Sequence, residues 1–65
     1  MNREQFMGKW SQLKGKARKQ WGKLTDNHVQ RVNGELDILA GQLQELYGIS
    51  KEEAENEIDD FCSRC

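Results

Sequence analysis

The chain has 65 residues, of which 32% are charged, and its 10 Lys and Arg side chains nearly cancel its 11 Asp and Glu side chains. A chain this short forms one domain with a thin core, because small domains bury only about 60% of the surface that the unfolded chain exposes. No apolar run approaches the ~18 residues of a membrane span, and none follows Met1 as in a signal peptide. These features argue against a transmembrane protein, a secreted disulfide scaffold and a multidomain enzyme, and we expect a cytoplasmic protein.

The first predicted element is a helix with one apolar stripe. Its five apolar side chains recur at steps of three and four residues, which is the period of one helix face: Phe6, Trp10, Leu13, Ala17 and Trp21. The stripe predicts that both tryptophans anchor the core rather than stack on nucleobases. Asn2 and Gln5 resemble a capping box at its start, and Gly22 is expected to end it in the left-handed conformation.

The second predicted helix begins at Thr25, which Leu24 and Val29 flank as a hydrophobic staple. His28 stands where a capping box normally carries an acidic or amide side chain, so we expect that box to be incomplete. The region 26–47 is expected to break at Gly34 into a short helix and a long one.

Two more helices complete the predicted fold. The third has apolar positions at helical spacing and a glycine stop at Gly48. For the fourth, Ser50 with Glu53 forms a better capping box. The apolar positions of the two helices are Leu36, Leu39, Leu43 and Leu46 or Tyr47 in the third, and Ala54, Ile58 and Phe61 in the fourth.

An internal repeat relates the two halves of the chain. Residues 6–22 superpose on residues 32–48 without gaps, and all six glycines fall into this register. The repeat predicts an all-α fold: a compact four-helix domain of two αα-hairpins packed crosswise. This domain spans residues 1–62, with 63–65 as a frayed C-terminal tail. Gly8 and Gly15 lie opposite the apolar stripe, where either the helix tolerates them or another backbone approaches closely.

Charge is distributed unevenly along the chain. Residues 1–24 carry a net charge of +6 and residues 25–65 a net charge of −7. Three interpretations remain open: an electrostatic site for nucleic acid or anionic lipid, complementarity between packed helices, or two solvated faces.

Few residues have the chemistry of an active site. His28 lacks an identifiable nucleophile, and Cys62 and Cys65 form a C-x-x-C pair at the chain end without the further ligands that zinc needs. We expect free thiols, with an in vitro dimer bridged through Cys65 more plausible than a metal or redox site. The six acidic residues at 52–60 are expected to form a solvated helix face rather than a cation site. We therefore predict no catalytic, metal or cofactor-binding residue.

Four lysines form the candidate partner-binding surface. On a helical wheel they fall within a quarter-turn of the first helix: Lys9, Lys16, Lys19 and Lys23. The partner is open between a protein, a nucleic acid and an anionic membrane surface, and we expect a monomer. A membrane role using the apolar stripe would compete with the core.

Two motifs carry a family resemblance. The segment GKWSQLKGKARKQWGKLTD at 8–26 and the segment GQLQELYG at 41–48 resemble the signatures of the CsbD-like family. The resemblance covers residues 6–61 and implies a small, cytoplasmic, bacterial stress-response protein with a four-helix domain and no established biochemical activity. We accordingly expect a non-enzymatic protein that binds or shields a macromolecular partner. The alternative is a nucleic-acid-binding module that uses the same lysines.

Overall fold

Four α-helices form the fold in the computed structural model, which describes residues 3–63. They are α1 (Arg3–Gln20), α2 (Asp26–Val32), α3 (Leu36–Tyr47) and α4 (Lys51–Ser63). No β-strand occurs between residues 3 and 63, so the predicted all-α, four-helix class is confirmed. The repeat symmetry and the crosswise packing of the two hairpins stay predictions, and the proposed cap at Asn2 lies outside the described residues.

The apolar stripe of α1 lies in the core. All five predicted positions are buried, with at most 7% of any residue exposed. The Phe6 and Trp10 rings pack 5.2 Å apart, and the Trp21 ring lies 4.9 Å from that of Phe61 on α4. The Trp21 indole N–H donates to Glu57 Oε1 at 3.1 Å, which satisfies its one polar group. Both tryptophans are therefore core anchors, and only opening of the domain would release this stripe to a membrane or a nucleobase.

The break between α2 and α3 falls at Gly34, as predicted. Asn33 and Gly34 both have positive φ, 46° and 83°, which ends α2 and turns the chain before Glu35, the N-cap of α3. A Cβ at position 34 would lie 3.2 Å from Met7 Cγ, so glycine is needed there for both conformation and space. This turn directs the apolar face of α3 to the core, where Leu39, Ala40 and Leu43 are buried.

The capping box at Thr25 is complete, which corrects the expectation from the sequence. The His28 backbone N–H donates to Thr25 Oγ1 at 3.3 Å, and the Thr25 backbone N–H donates to His28 Nδ1 at 3.1 Å. An imidazole nitrogen thus takes the accepting role that a carboxylate or amide oxygen has in the usual box. At the start of α4, Glu53 N–H donates to Ser50 Oγ at 3.1 Å, as predicted.

Only one of the two predicted glycine stops is left-handed. Gly48 has a φ of 66°, and its N–H donates to Gln44 O at 3.0 Å, which ends α3. Gly22 does not have positive φ, so its predicted role was wrong. The chain instead continues turning after α1, because Trp21 N–H donates to Ala17 O and Leu24 N–H donates to Trp21 O.

Candidate partner-binding surface on α1

Three of the four candidate lysines form one exposed surface on α1, here called the lysine face: Lys9, Lys16 and Lys19. Lys9 and Lys16 are two helical turns apart, a separation of about 10 Å along the axis. None of the three makes a hydrogen bond or an ion pair with another residue of the described range 3–63. Their ammonium groups are therefore available to an external anion.

Lys23 does not belong to this face, which corrects its placement on the helical wheel. Helix α1 ends at Gln20, and Lys23 lies in the following turn, where its N–H donates to Tyr47 Oη at 3.2 Å. Its Nζ donates to Leu46 O at 3.2 Å and lies 5.0 Å from the centroid of the Tyr47 ring. A cation is favourable there because the C-terminus of α3 carries partial negative charge. Lys23 therefore links the turn between α1 and α2 to the C-terminal end of α3.

The basic side chains of α1 that do form ion pairs are its arginines. Arg3 lies 2.9 Å from Asp37 of α3, and Arg18 lies 2.6 Å from Asp26 of α2. Intramolecular charge complementarity accounts for these two contacts. Since both pairs are largely exposed, each is worth at most about 1 kcal/mol. Within residues 3–63, this intramolecular charge complementarity does not extend to the lysine face.

Two glycines border the lysine face and leave the helix backbone open there. A Cβ built on Gly8 or Gly15 would have no atom of another element within 4 Å. The close approach of a second backbone, one of the two readings of these glycines, is thus absent within residues 3–63. Because the glycines have no side chains, the helix backbone beside Lys9 and Lys16 is consequently accessible.

The acidic residues of α4 form a separate surface. Most of them are exposed, Glu55 is half-buried, and Glu57 accepts the Trp21 indole hydrogen bond. Residues 3–63 contain no group of three or more His, Cys, Asp or Glu side chains arranged to hold a metal ion.

The other candidate groups have structural partners. His28 Nδ1 is part of the capping box, and its backbone carbonyl accepts from Gln42 Nε2 of α3 at 2.8 Å. Cys62 is buried at the end of the α4 apolar face, a core position that the sequence pattern missed. Cys65, with the predicted in vitro dimer, lies outside the described residues.

A few large apolar side chains remain exposed within residues 3–63, and Met7 is the most exposed of them at 57%. It directly follows Phe6 and falls beside the stripe, so its spacing predicts an exposed residue. Sequence reasoning did not identify the cleft that it lines, because this cleft depends on the backbone turn at Gly34. Between residues 3 and 63, the helices are all too short or too polar to cross a membrane.

Comparison with known proteins gives a consistent result. The family model described as CsbD-like matches residues 4–56. A UPF0337 protein of Pseudomonas aeruginosa is 50% identical over 64 residues, which is 98% of each chain. A UPF0337 protein of Protochlamydia amoebophila is 49% identical over 94% of this chain and 92% of its own. The UPF0337 protein YjbJ of Escherichia coli K12 is 45% identical over 98% of this chain and 93% of its own.

Proposed function

The chain belongs to the CsbD-like family, and we propose that it acts as a non-enzymatic bacterial stress-response protein that binds a macromolecular partner through the lysine face. The partner presents an anionic surface, because the three ammonium groups of this face have no intramolecular counter-charge within residues 3–63. This absence of counter-charge is the observation that carries the proposal.

The position of the lysine face on α1 supports binding by the folded protein. The opposite side of α1 supplies the buried stripe from Phe6 to Trp21, so a partner on the lysine face leaves the core intact. The open backbone at Gly8 and Gly15 lets a partner approach α1 closely beside the lysine face. Binding therefore needs no conformational change in the domain.

The test is a comparison of two double variants with equal changes in charge. In Lys16→Glu with Lys19→Glu, the lysine face is reversed, whereas Arg31→Glu with Lys51→Glu reverses two exposed cations elsewhere. Each immobilised protein is used to capture proteins from stressed bacterial cells, and captured material is quantified. We expect the first variant to lose the partner and the second to keep it, with far-UV circular dichroism unchanged in both because surface substitutions alter stability by only about 0.5 kcal/mol. Equal capture by the two variants would overturn the proposal.

A nucleic acid is the second candidate partner, favoured by the open backbone beside the lysines, which a phosphodiester chain can approach. Three phosphate contacts predict a slope of about −2.7 for log affinity against log salt, or about a 40-fold loss between 50 and 200 mM. Fluorescence anisotropy with a short labelled duplex measures this slope. No binding at low salt removes this candidate while leaving a protein partner in place.

The non-enzymatic part of the proposal is supported by the state of the single histidine. His28 lines none of the clefts formed by residues 3–63 that are described below, and its Nδ1 accepts the hydrogen bond from Thr25 N–H. A general base must reach a substrate proton from a suitable site. An activity that His28→Glu abolishes without loss of fold would contradict this part.

A further inference from the structure

Helices α1 and α2 enclose a groove that the proposed function does not use. Its central cleft has a volume of about 490 Å³, with Met7 and Lys14 among its α1 lining residues and Gln30 and Asn33 among those of α2. Trp10 and Val29 also line it and are nearly buried, 7% and 6% exposed. The floor of this α1–α2 groove is therefore apolar.

Both ends of the groove are closed by ion pairs. A smaller cleft at one end is lined by Arg3 and Asp37, which are 2.9 Å apart, and a cleft at the other end by Arg18 and Asp26, which are 2.6 Å apart. Since these four charges are paired, they do not require an external counter-charge. From Met7 to Arg18 the groove runs about 16 Å along α1.

The middle of the groove has one cation and several polar groups with no partner. Lys14 is exposed and makes no hydrogen bond or ion pair within residues 3–63, and the same holds for the side chains of Ser11, Gln30 and Asn33. The lysine lies between the two ion pairs, and it is the single charged side chain that lines the central cleft within residues 3–63. Met7, at one end, leaves 57% of its surface in water.

We propose that the α1–α2 groove binds a short protein segment in which one carboxylate is flanked by apolar side chains. The carboxylate pairs with Lys14, and an apolar side chain covers Met7, whose flexible thioether adapts to differently shaped partners. Ser11, Gln30 and Asn33 supply hydrogen bonds to the main chain of the segment. A length of 16 Å accommodates about five extended residues.

Charge at the groove ends argues for a peptide and against a polyanion. Asp26, Glu35 and Asp37 line the end clefts, so a chain of phosphates passing along the groove would meet carboxylates at both ends. A peptide with a single acidic group places its charge at the centre only. This site is separate from the lysine face and does not depend on the proposed function.

The test is selection of random dodecapeptides displayed on phage against the immobilised full chain, followed by affinity measurement on variants. We expect the selected peptides to share Asp or Glu between apolar residues. Their affinity should fall about tenfold in Lys14→Glu, because the charge pair between Lys14 and the peptide carboxylate is replaced by repulsion. A fall is also expected in Met7→Gln, which keeps side-chain length and helix propensity but removes apolar contact.

Lys51→Glu is the matched control, because it makes the same change in charge at an exposed lysine outside both the groove and the lysine face. Its effect on the selected peptides should stay below about twofold, since solvent and salt screen a charge at that distance. Amide shifts on adding the peptide should centre on residues 7–14 and 29–34. Selected peptides without an acidic residue, a failure to enrich any peptide, or equal affinities for Lys14→Glu and Lys51→Glu would each overturn the proposal.

Discussion

The start of α2 depends on hydrogen bonds between two side chains and two backbone amides. His28 N–H donates to Thr25 Oγ1, and Thr25 N–H donates to His28 Nδ1, so two N–H groups that the helix leaves without partners are satisfied. The helix has only seven residues, and its Val29 and Val32 are buried in the core. A helix this short is not stable by itself, so its cap and its core contacts have to hold it together.

Replacing His28 by Val tests the importance of the imidazole. The variant loses the acceptor for Thr25 N–H while its intrinsic helix propensity changes little. We expect the free energy of unfolding to fall by about 1 kcal/mol in urea denaturation. Asn27→Val, in the same turn and without a side-chain hydrogen bond within residues 3–63, should change it by less than about 0.5 kcal/mol. His28→Glu should preserve stability, and equal losses in His28→Val and Asn27→Val would refute the role of the ring nitrogen.

Lys23 gives a second prediction for a single residue. Lys23→Glu removes the hydrogen bond from Nζ to Leu46 O and the contact with the Tyr47 ring, and it places negative charge at the C-terminus of α3. We expect a loss of about 1 kcal/mol in unfolding free energy. Lys16→Glu makes the same change in charge on the lysine face and should cost less than about 0.5 kcal/mol. Thermal denaturation followed by circular dichroism compares them, and equal midpoints would show that Lys23 is an ordinary surface lysine.

At the scale of the element, α1 combines a tightly packed side with a side that contains two glycines. Gly8 and Gly15 lie within the 18 residues of α1, and neither has positive φ or a close neighbour that excludes a Cβ. Each therefore lowers helix stability without a packing role inside the domain. An accessible backbone beside the lysine face is the one consequence that bears on binding.

Gly8→Ala and Gly15→Ala should stabilise the protein. Each replaces glycine in a helix interior with open space at the Cβ, and each should add about 0.5–1 kcal/mol to the free energy of unfolding. Gly48→Ala is the contrasting variant, because its φ of 66° strains any side chain, and it should destabilise the protein. Urea midpoints measure all three. Destabilisation by either helical alanine would mean that α1 is not a continuous helix at that glycine.

Helix spacing and glycines predicted most of this architecture from the sequence. The stripe from Phe6 to Trp21, the break at Gly34 and the stop at Gly48 follow from local rules that depend on neighbouring residues only. The errors have two sources, a tertiary contact and a local side-chain hydrogen bond. Lys23 does not share the helical face of α1, because the chain turns after Gln20 and Lys23 contacts Tyr47. His28 caps α2 because its ring nitrogen replaces a carboxylate oxygen. The groove was likewise not predictable, since it depends on how α2 lies beside α1.

For the whole molecule, the separation of core and charge is the feature that matters for function. One side of α1 contributes four buried residues to the core, and Trp21 directly after the helix adds a fifth. The lysine face is exposed to solvent and is not neutralised by the acidic residues of α4 within residues 3–63. A thin core is marginally stable. A partner that required the apolar stripe would have to unfold the domain, whereas a partner on the lysine face binds it as it is.

The most direct measurement is an ¹H–¹⁵N spectrum of the full chain at low salt, titrated separately with a short DNA duplex and with poly-L-glutamate. The lysine face predicts shifts confined to Lys9, Lys16, Lys19 and their neighbours with at least one of the two polyanions, reversed by added salt. The amide signals of Arg31 and Lys51 should not shift. The Trp21 indole N–H signal should keep the chemical shift that it has in the folded protein. A spectrum that neither polyanion changes, or shifts spread evenly over all exposed cations, would contradict the assignment of α1 as the binding surface.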